Sequence, residues 1–240
     1  MNTANIHYKD GDQELEGYVA HDPAIQGKRP AVLIAHAWGG LLDFERSKAD
    51  ALARLGYVGF AMDLYGKGTR GGSVEENARL MQPFMEDRGL VRRRMQAGLE
   101  AARSHELVDP GRIAVIGYCF GGLCVLDLAR SGAEVAGVVS FHGLLSPPDL
   151  GDNPGTFTSR VLVLHGHDDP LVPPAQVAGL TEELTRAKVD WQVHIYGHTL
   201  HAFTNPEAND PTGLGAAYDA TADSRSWVAM KNFLAELFGE

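Results

Sequence analysis

Gly117-Tyr118-Cys119-Phe120-Gly121-Gly122, set between the apolar runs Ile113-Ala114-Val115-Ile116 and Leu123-Cys124-Val125-Leu126, reads as a strand, a sharp turn and a helix. The spacing is that of a nucleophile elbow, G-x-Nu-x-G. Small residues flank the nucleophile there because the strained turn brings backbone too close for Cβ atoms. Gly117 and Gly121 hold those places, and Cys119 holds the nucleophile's. A helix starting at Phe120 would aim the backbone N–H of that residue at a developing oxyanion. A buried structural cysteine in a glycine-rich turn has the same local sequence. What separates the two is whether an acid and a histidine follow.

Both follow. Val161-Leu162-Val163-Leu164 reads as a buried strand that runs into His165-Gly166-His167-Asp168-Asp169-Pro170-Leu171-Val172-Pro173, a loop with adjacent carboxylates. Trp191 to Tyr196 alternates like a strand and leads into Gly197-His198-Thr199-Leu200-His201-Ala202-Phe203. Nucleophile, acid and histidine, each after a strand, is the chain order of α/β-hydrolases. The local sequence leaves two aspartates and two histidines in competition.

The elbow, the H-G-x-x-D-x-x-V-P loop ending at Pro173, His-Ala-Phe at 201–203 and Asp63-Leu64-Tyr65-Gly66 together resemble the dienelactone hydrolase (carboxymethylenebutenolidase-like) family of α/β-hydrolases, over nearly the whole chain. The resemblance implies Cys119 as nucleophile, Asp169 as orienting acid and His201 as base. Asp168 then becomes a turn former and His198 a loop residue. Departures narrow the implication. Ala37 stands where the family commonly has a glutamate, and Ala202 and Asn205 stand where members acting on dienelactone use a serine and an arginine. Fold and reaction class carry over more directly than dienelactone as substrate. Without a carboxylate at position 37, His201 becomes the main partner of Cys119, and the thiol is expected to be poised before substrate arrives.

Outward from the elbow, strands and helices alternate. Residues 5–8 and 14–20 read as an antiparallel hairpin around Asp10-Gly11-Asp12. Buried strands are expected at 31–36, 57–62 and 135–140, with helices before Gly56, over about 88–105, after Pro173 and from about Gly215. Arg92-Arg93-Arg94 reads as a solvated face, and Asp109-Pro110-Gly111 as the stop after that helix. Residues 64–87 read as a glycine-punctuated loop with a weak helical start at Ser73, and 144–159 as a loop with three prolines. The expected architecture is an α/β-hydrolase fold, a mostly parallel sheet with helices on both faces and an N-terminal antiparallel hairpin. It would form a single domain over 1–240. Ligands of such sheets bind at the carboxyl ends of the strands. Trp38, Asp63, Cys119, His142, Asp169 and His201 are expected at that edge.

Hydrophobic residues at 44% and charged residues at 22% are ordinary for a globular chain. A net charge of -10 argues against nucleic acid and anionic membranes as partners. No run approaches the roughly 18 apolar residues of a membrane span, and Met1-Asn2-Thr3-Ala4-Asn5 lacks the basic and apolar regions of a leader. The cytoplasm is the expected location, and no disulfide between Cys119 and Cys124 is expected. Of the histidine-rich fragments His165-Gly166-His167-Asp168 and His194 to His201, the first lacks the following histidine of a dinuclear zinc site, and in the second His194 alternates with Val193 and Ile195 along a strand, so neither metal nor cofactor is expected.

The expected activity is cleavage of a small ester, lactone or thioester through a Cys-His-Asp triad and an acyl-thioester. The backbone N–H groups of Trp38 and Phe120 would form the oxyanion hole, with Ala37, His142 and Ala202 as candidate pocket residues. A dienelactone hydrolase proper and a non-catalytic ligand-binding relative are the alternatives. The expected assembly is a monomer or weak homo-oligomer.

Overall fold

In the computed structural model, which describes residues 1–148, 156–209 and 213–239, apolar runs bounded by glycine and proline become strands and the 3.6-residue patterns between them become helices. The chain divides into two compact units, Met1–Ile116 and Gly117–Glu240.

In the first unit, β1 (Asn2–Asp10) and β2 (Gln13–His21) form the antiparallel hairpin, with Asp10 opposite Gln13. β3 (Arg29–Ala35) and β4 (Val58–Met62) pair in parallel and are buried throughout, as near-continuous apolar strands must be. Between them α1 (Asp43–Arg54) buries Ala49, Leu52 and Ala53. After β4 come α2 (Val74–Glu86), α3 (Arg88–Arg103) and β5 (Val108–Tyr118), whose last two residues belong to the second unit.

Three expectations change here. The loop expected over 64–87 contains a 13-residue helix, α2. Ser73 caps the helix by accepting the Glu76 N–H at 3.2 Å, and the Glu76 carboxylate accepts the Gly72 N–H at 2.9 Å, so the helix starts where the glycines end. The arginine run is not wholly solvated, because Arg94 is ion-paired with Asp10 and its side chain is only 11% exposed. Asp109-Pro110-Gly111 lies inside β5 rather than before it, at an exposed stretch where a strand tolerates proline.

In the second unit, α4 (Phe120–Arg130) follows the elbow and is buried along its whole length. β6 (Gly137–Phe141), β7 (Arg160–Gly166) and β8 (Trp191–Tyr196) pair in parallel. α5 (Pro174–Arg186) starts at a proline, as its missing N–H permits, and α6 (Ala220–Phe238) ends at Gly239 in the left-handed conformation. Arg130, buried at the end of α4, donates to both carboxylate oxygens of Glu183 on α5 at 2.8 Å and to Asp127 at 3.2 Å. Part of the loop expected over 144–159 lies outside the described residues.

The eight strands follow the order β1-β2-β4-β3-β5-β6-β7-β8. The fold is α/β-hydrolase-like, a mostly parallel sheet with an antiparallel N-terminal hairpin. No described helix is long and apolar enough to cross a membrane.

Candidate active site

Cys119 caps α4 with φ 53° and ψ -114°, a backbone conformation that costs a non-glycine residue of order 1–3 kcal/mol unless its surroundings enforce it. They do. A Cβ at Gly117 would lie 2.1 Å from Gly121 O, and one at Gly122 would lie 2.6 Å from Gly143 Cα, so both positions exclude side chains. The Cys119 N–H is shared between Phe141 O at 3.1 Å and His142 Nδ1 at 3.2 Å.

The competition among acids and histidines resolves in space. His201 Nδ1 donates to Asp169 Oδ2 at 2.7 Å, with both side chains almost wholly buried. Asp169 Oδ1 accepts the Leu171 N–H at 2.9 Å, which fixes the carboxylate plane. The backbone of His201 is held by Gly215 O and the Ala217 N–H, at 2.9 and 3.0 Å. Gly215, at φ 72°, comes so close to Pro170 that a Cβ there would lie 2.2 Å from Pro170 Cγ. The segment carrying the histidine is thereby packed onto the loop carrying the aspartate. His198, by contrast, is fully exposed and meets Asp168 only at 3.7 Å on the surface.

Burial alone would depress the His201 pKa, but the charge on the Cys119 sulfur and then the Asp169 carboxylate raise it to about 10. Nε2 is buried and makes no hydrogen bond of acceptable geometry among the described residues. The sulfur therefore acts on it chiefly as a nearby charge. His165, at the end of β7, is buried and its pKa lowered by that burial.

His142, a candidate pocket residue whose other reading is a satisfied histidine at a strand end, is braced on both ring nitrogens. It is buried, sits at φ 38°, and uses Nδ1 for the Cys119 N–H and Nε2 for Thr204 Oγ1 at 2.8 Å. Tyr118 stacks on Phe141 with centroids 4.7 Å apart. Ala202 is half-buried with φ 55°, immediately after His201.

The first unit carries the remaining candidates. Asp63 accepts the N–H groups of Glu16, Tyr65 and Gly66, each at 3.0 Å, and so acts as a backbone tie at the end of β4. Trp38 O accepts the Tyr65 hydroxyl at 3.0 Å, and the Ala37 N–H donates to Glu45 Oε1 at 3.1 Å. Glu45 Oε2 accepts the Leu42 N–H at 3.0 Å, so this buried carboxylate closes the 37–42 loop on itself. Burial pushes its pKa up to about 7 against the lowering by those two N–H groups.

Sequence reasoning missed Glu45 and Thr204. Glu45 follows Leu42, which has no capping side chain to signal the start of the helix, whereas Thr204 directly follows the His-Ala-Phe segment and was open to notice. Among the described residues no three His, Cys, Asp or Glu side chains are grouped to hold a metal ion.

A protein-family model described as the dienelactone hydrolase family matches residues 15–238. A crystal structure described as a dienelactone hydrolase-like promiscuous phosphotriesterase from metagenomic libraries is 40% identical, with a TM-score of 0.94 over 99% of this chain and 98% of that one. The carboxymethylenebutenolidase of Pseudomonas putida is 25% identical over 225 residues, 90% of this chain and 92% of that protein. A Caenorhabditis elegans protein described as uncharacterized is 36% identical over 157 residues, 62% of this chain and 96% of that protein.

Proposed function

Because the chain belongs to the dienelactone hydrolase family, whose members are hydrolases acting on ester and lactone bonds, we propose that it is a cysteine hydrolase of small esters, lactones or thioesters, with Cys119, His201 and Asp169 as its triad. The observation that carries the proposal is the environment of His201, with a carboxylate on one ring nitrogen and a thiol sulfur beside the other.

In the resting state the imidazole keeps its proton at neutral pH. The Cys119 thiolate attacks the carbonyl carbon, an S–C bond forms, and the carbonyl electron pair moves to oxygen, where the Phe120 N–H stabilises it. Collapse breaks the bond to the leaving oxygen, which takes the proton from His201 Nε2. Acylation also removes the charge on sulfur, the largest influence raising the His201 pKa. The imidazole of the acyl-enzyme is thus a better base, able to take a proton from the attacking water. The second collapse expels the Cys119 thiolate and releases the acid. This chemistry uses no cofactor or metal, suits a reducing compartment such as the cytoplasm, and is assigned to the whole chain as one domain.

Ala202 and Asn205 favour simple acyl substrates over a carboxylate-bearing dienelactone. Phosphotriesters are a second substrate class to assay, since the 40%-identical relative is named for them. The test is intact-protein and peptide mass spectrometry during turnover of p-nitrophenyl acetate, with a carboxylate-bearing lactone in parallel. An acetyl group on Cys119, absent from inactive Cys119→Ala, is expected. Unchanged turnover in Cys119→Ala, or acylation elsewhere, would overturn the proposal.

A further inference from the structure

His142 occupies a place that the triad does not explain. It follows β6 with its backbone at φ 38°, the left-handed region that a non-glycine residue enters only when its surroundings require it. The turn points the ring into the elbow. Nδ1 accepts the N–H of Cys119 at 3.2 Å, so the ring proton sits on Nε2, which donates to Thr204 Oγ1 at 2.8 Å. Thr204 is fully buried and lies in the segment that carries His201. The ring stands edge-on to His201, with centroids 5.2 Å apart, and to Phe203 at 5.1 Å. One side chain therefore bonds the amide of the strained nucleophile at one end and the base's segment at the other. Two strained residues, Cys119 and His142, are joined by a single hydrogen bond.

We propose that His142 is a positioning residue for the reaction, a bridge from the Cys119 amide through Thr204 to the His201 segment that sets how the thiol meets the imidazole. This rests on the reading of Cys119 as nucleophile. Buried imidazoles ordinarily engage both nitrogens; what sets His142 apart is that one partner is the amide of Cys119 and the other lies in the His201 segment, both reached from a left-handed backbone. Loss of the bridge lets the sulfur drift from Nε2, and a misplacement of about 1 Å can cost on the order of 10²-fold in rate. The thiolate also loses the imidazolium that stabilises it, so alkylation slows.

The test uses the full chain with Cys124→Ala, so that iodoacetamide reports Cys119, and four additional changes. His142→Leu keeps bulk, and His142→Gly suits the backbone, but neither offers an acceptor. His142→Asn suits the backbone and places a carbonyl oxygen near the position of Nδ1. Thr204→Val removes only the hydroxyl. Measured are kcat and KM for p-nitrophenyl acetate, the alkylation rate at neutral pH, and the thermal transition. The Leu and Gly variants should lose about 10²-fold in kcat with KM nearly unchanged and alkylate more slowly. Asn should recover most of both rates, and Thr204→Val should fall between. Should the Leu variant fail to fold, the isosteric Thr204→Val and the Asn against Gly pair still decide. Wild-type kcat and alkylation in folded Leu, Gly or Val variants, or an Asn variant no better than Gly, would overturn the bridge. Alkylation needs no substrate, so the bridge is judged by that rate even if turnover in Cys119→Ala shows that the nucleophile lies elsewhere.

Discussion

His36, at the end of β3, and His201, in the loop after β8, are both buried imidazoles, yet they are held in opposite states. His36 donates from Nδ1 to Ala37 O at 2.7 Å and accepts the Leu64 N–H on Nε2 at 3.1 Å. Burial drives its pKa down to about 4, and the ring acts as a neutral tie between two backbone segments. For His201 burial pushes the same way, but the sulfur and the carboxylate outweigh it and the pKa rises to about 10. Burial by itself does not mark a reactive histidine. What distinguishes His201 from His36 is a carboxylate on one ring nitrogen and the Cys119 sulfur close enough to raise its pKa.

The largest effects should separate the two regions by rate. Cys119→Ala and His201→Ala should each lower kcat on the order of 10⁶-fold, as deletion of a nucleophile or base does in a triad, with cooperative folding retained. His36→Leu, measured alongside, should leave kcat of the folded protein far less affected. Equal losses in the His36 and His201 variants would erase the distinction.

Next comes the carboxylate that makes His201 different. Asp169→Asn should reduce kcat about 10⁴-fold by removing the charge that holds the imidazole in orientation. Asp168→Asn touches only a surface contact with the exposed His198 and should stay near wild type. Steady-state kinetics on the two variants decides, and a greater loss at Asp168 would shift the site by one residue.

A smaller effect should appear in stability on the His36 side. His36→Leu leaves the Leu64 N–H and Ala37 O without those partners, which should cost about 2–4 kcal/mol. Urea unfolding monitored by circular dichroism measures it. A loss under about 0.5 kcal/mol, the range of an ordinary surface change, would mean the tie is not structural.

The subtlest contrast lies in the pH dependence of stability. The lowered His36 pKa means that the unfolded chain binds more protons between 4 and 6.5, so its contribution rises with pH across that window and is lost as pH falls. For His201 the folded chain binds more protons between 6.5 and 10; its contribution is full below 6.5 and lost as pH rises toward 10. Glu45, raised from 4.5 to about 7, opposes His36 over part of the same range, so each must be read as wild type minus variant. Unfolding curves from pH 4 to 10 for wild type, His36→Leu and Cys119→Ala should show the acid limb flattened in the first variant. In the second the alkaline limb should flatten, because the sulfur charge is gone. An alkaline limb unchanged by Cys119→Ala would deny that the sulfur controls His201.

The elbow was legible because its cause is local. A Cβ at Gly117 would meet Gly121 O within the turn itself, whereas the need for glycine at 122 comes from Gly143, 21 residues on, and was not part of the G-x-Nu-x-G reading. The alternation of apolar runs with helical spacing likewise carried the parallel strands, the hairpin and five of the six helices among the described residues. α2 was nearly missed because four glycines dominate residues 66–72 while its signal is one N-cap serine, Ser73. Arg94 was misjudged because its partner, Asp10, lies 84 residues away.

What the sequence determined by itself was the order cysteine, aspartate, histidine, and the need for glycine at 117, whose Cβ would meet Gly121 O, since strand periodicity and contacts within one turn act over a few residues. The resemblance already preferred Asp169 and His201 to their neighbours; only the tertiary structure brings the two within 2.7 Å of each other. Asp169 and His201 lie 32 residues apart, and their neighbours Asp168 and His198 have the same chemistry and face solvent instead. Nor could local patterns show His142 spanning 23 residues to the Cys119 amide and 62 to Thr204, or Glu45 closing the 37–42 loop. Composition cannot specify such bonds, because a buried hydrogen bond depends on where two groups point once the core has packed, to within a few tenths of an ångström.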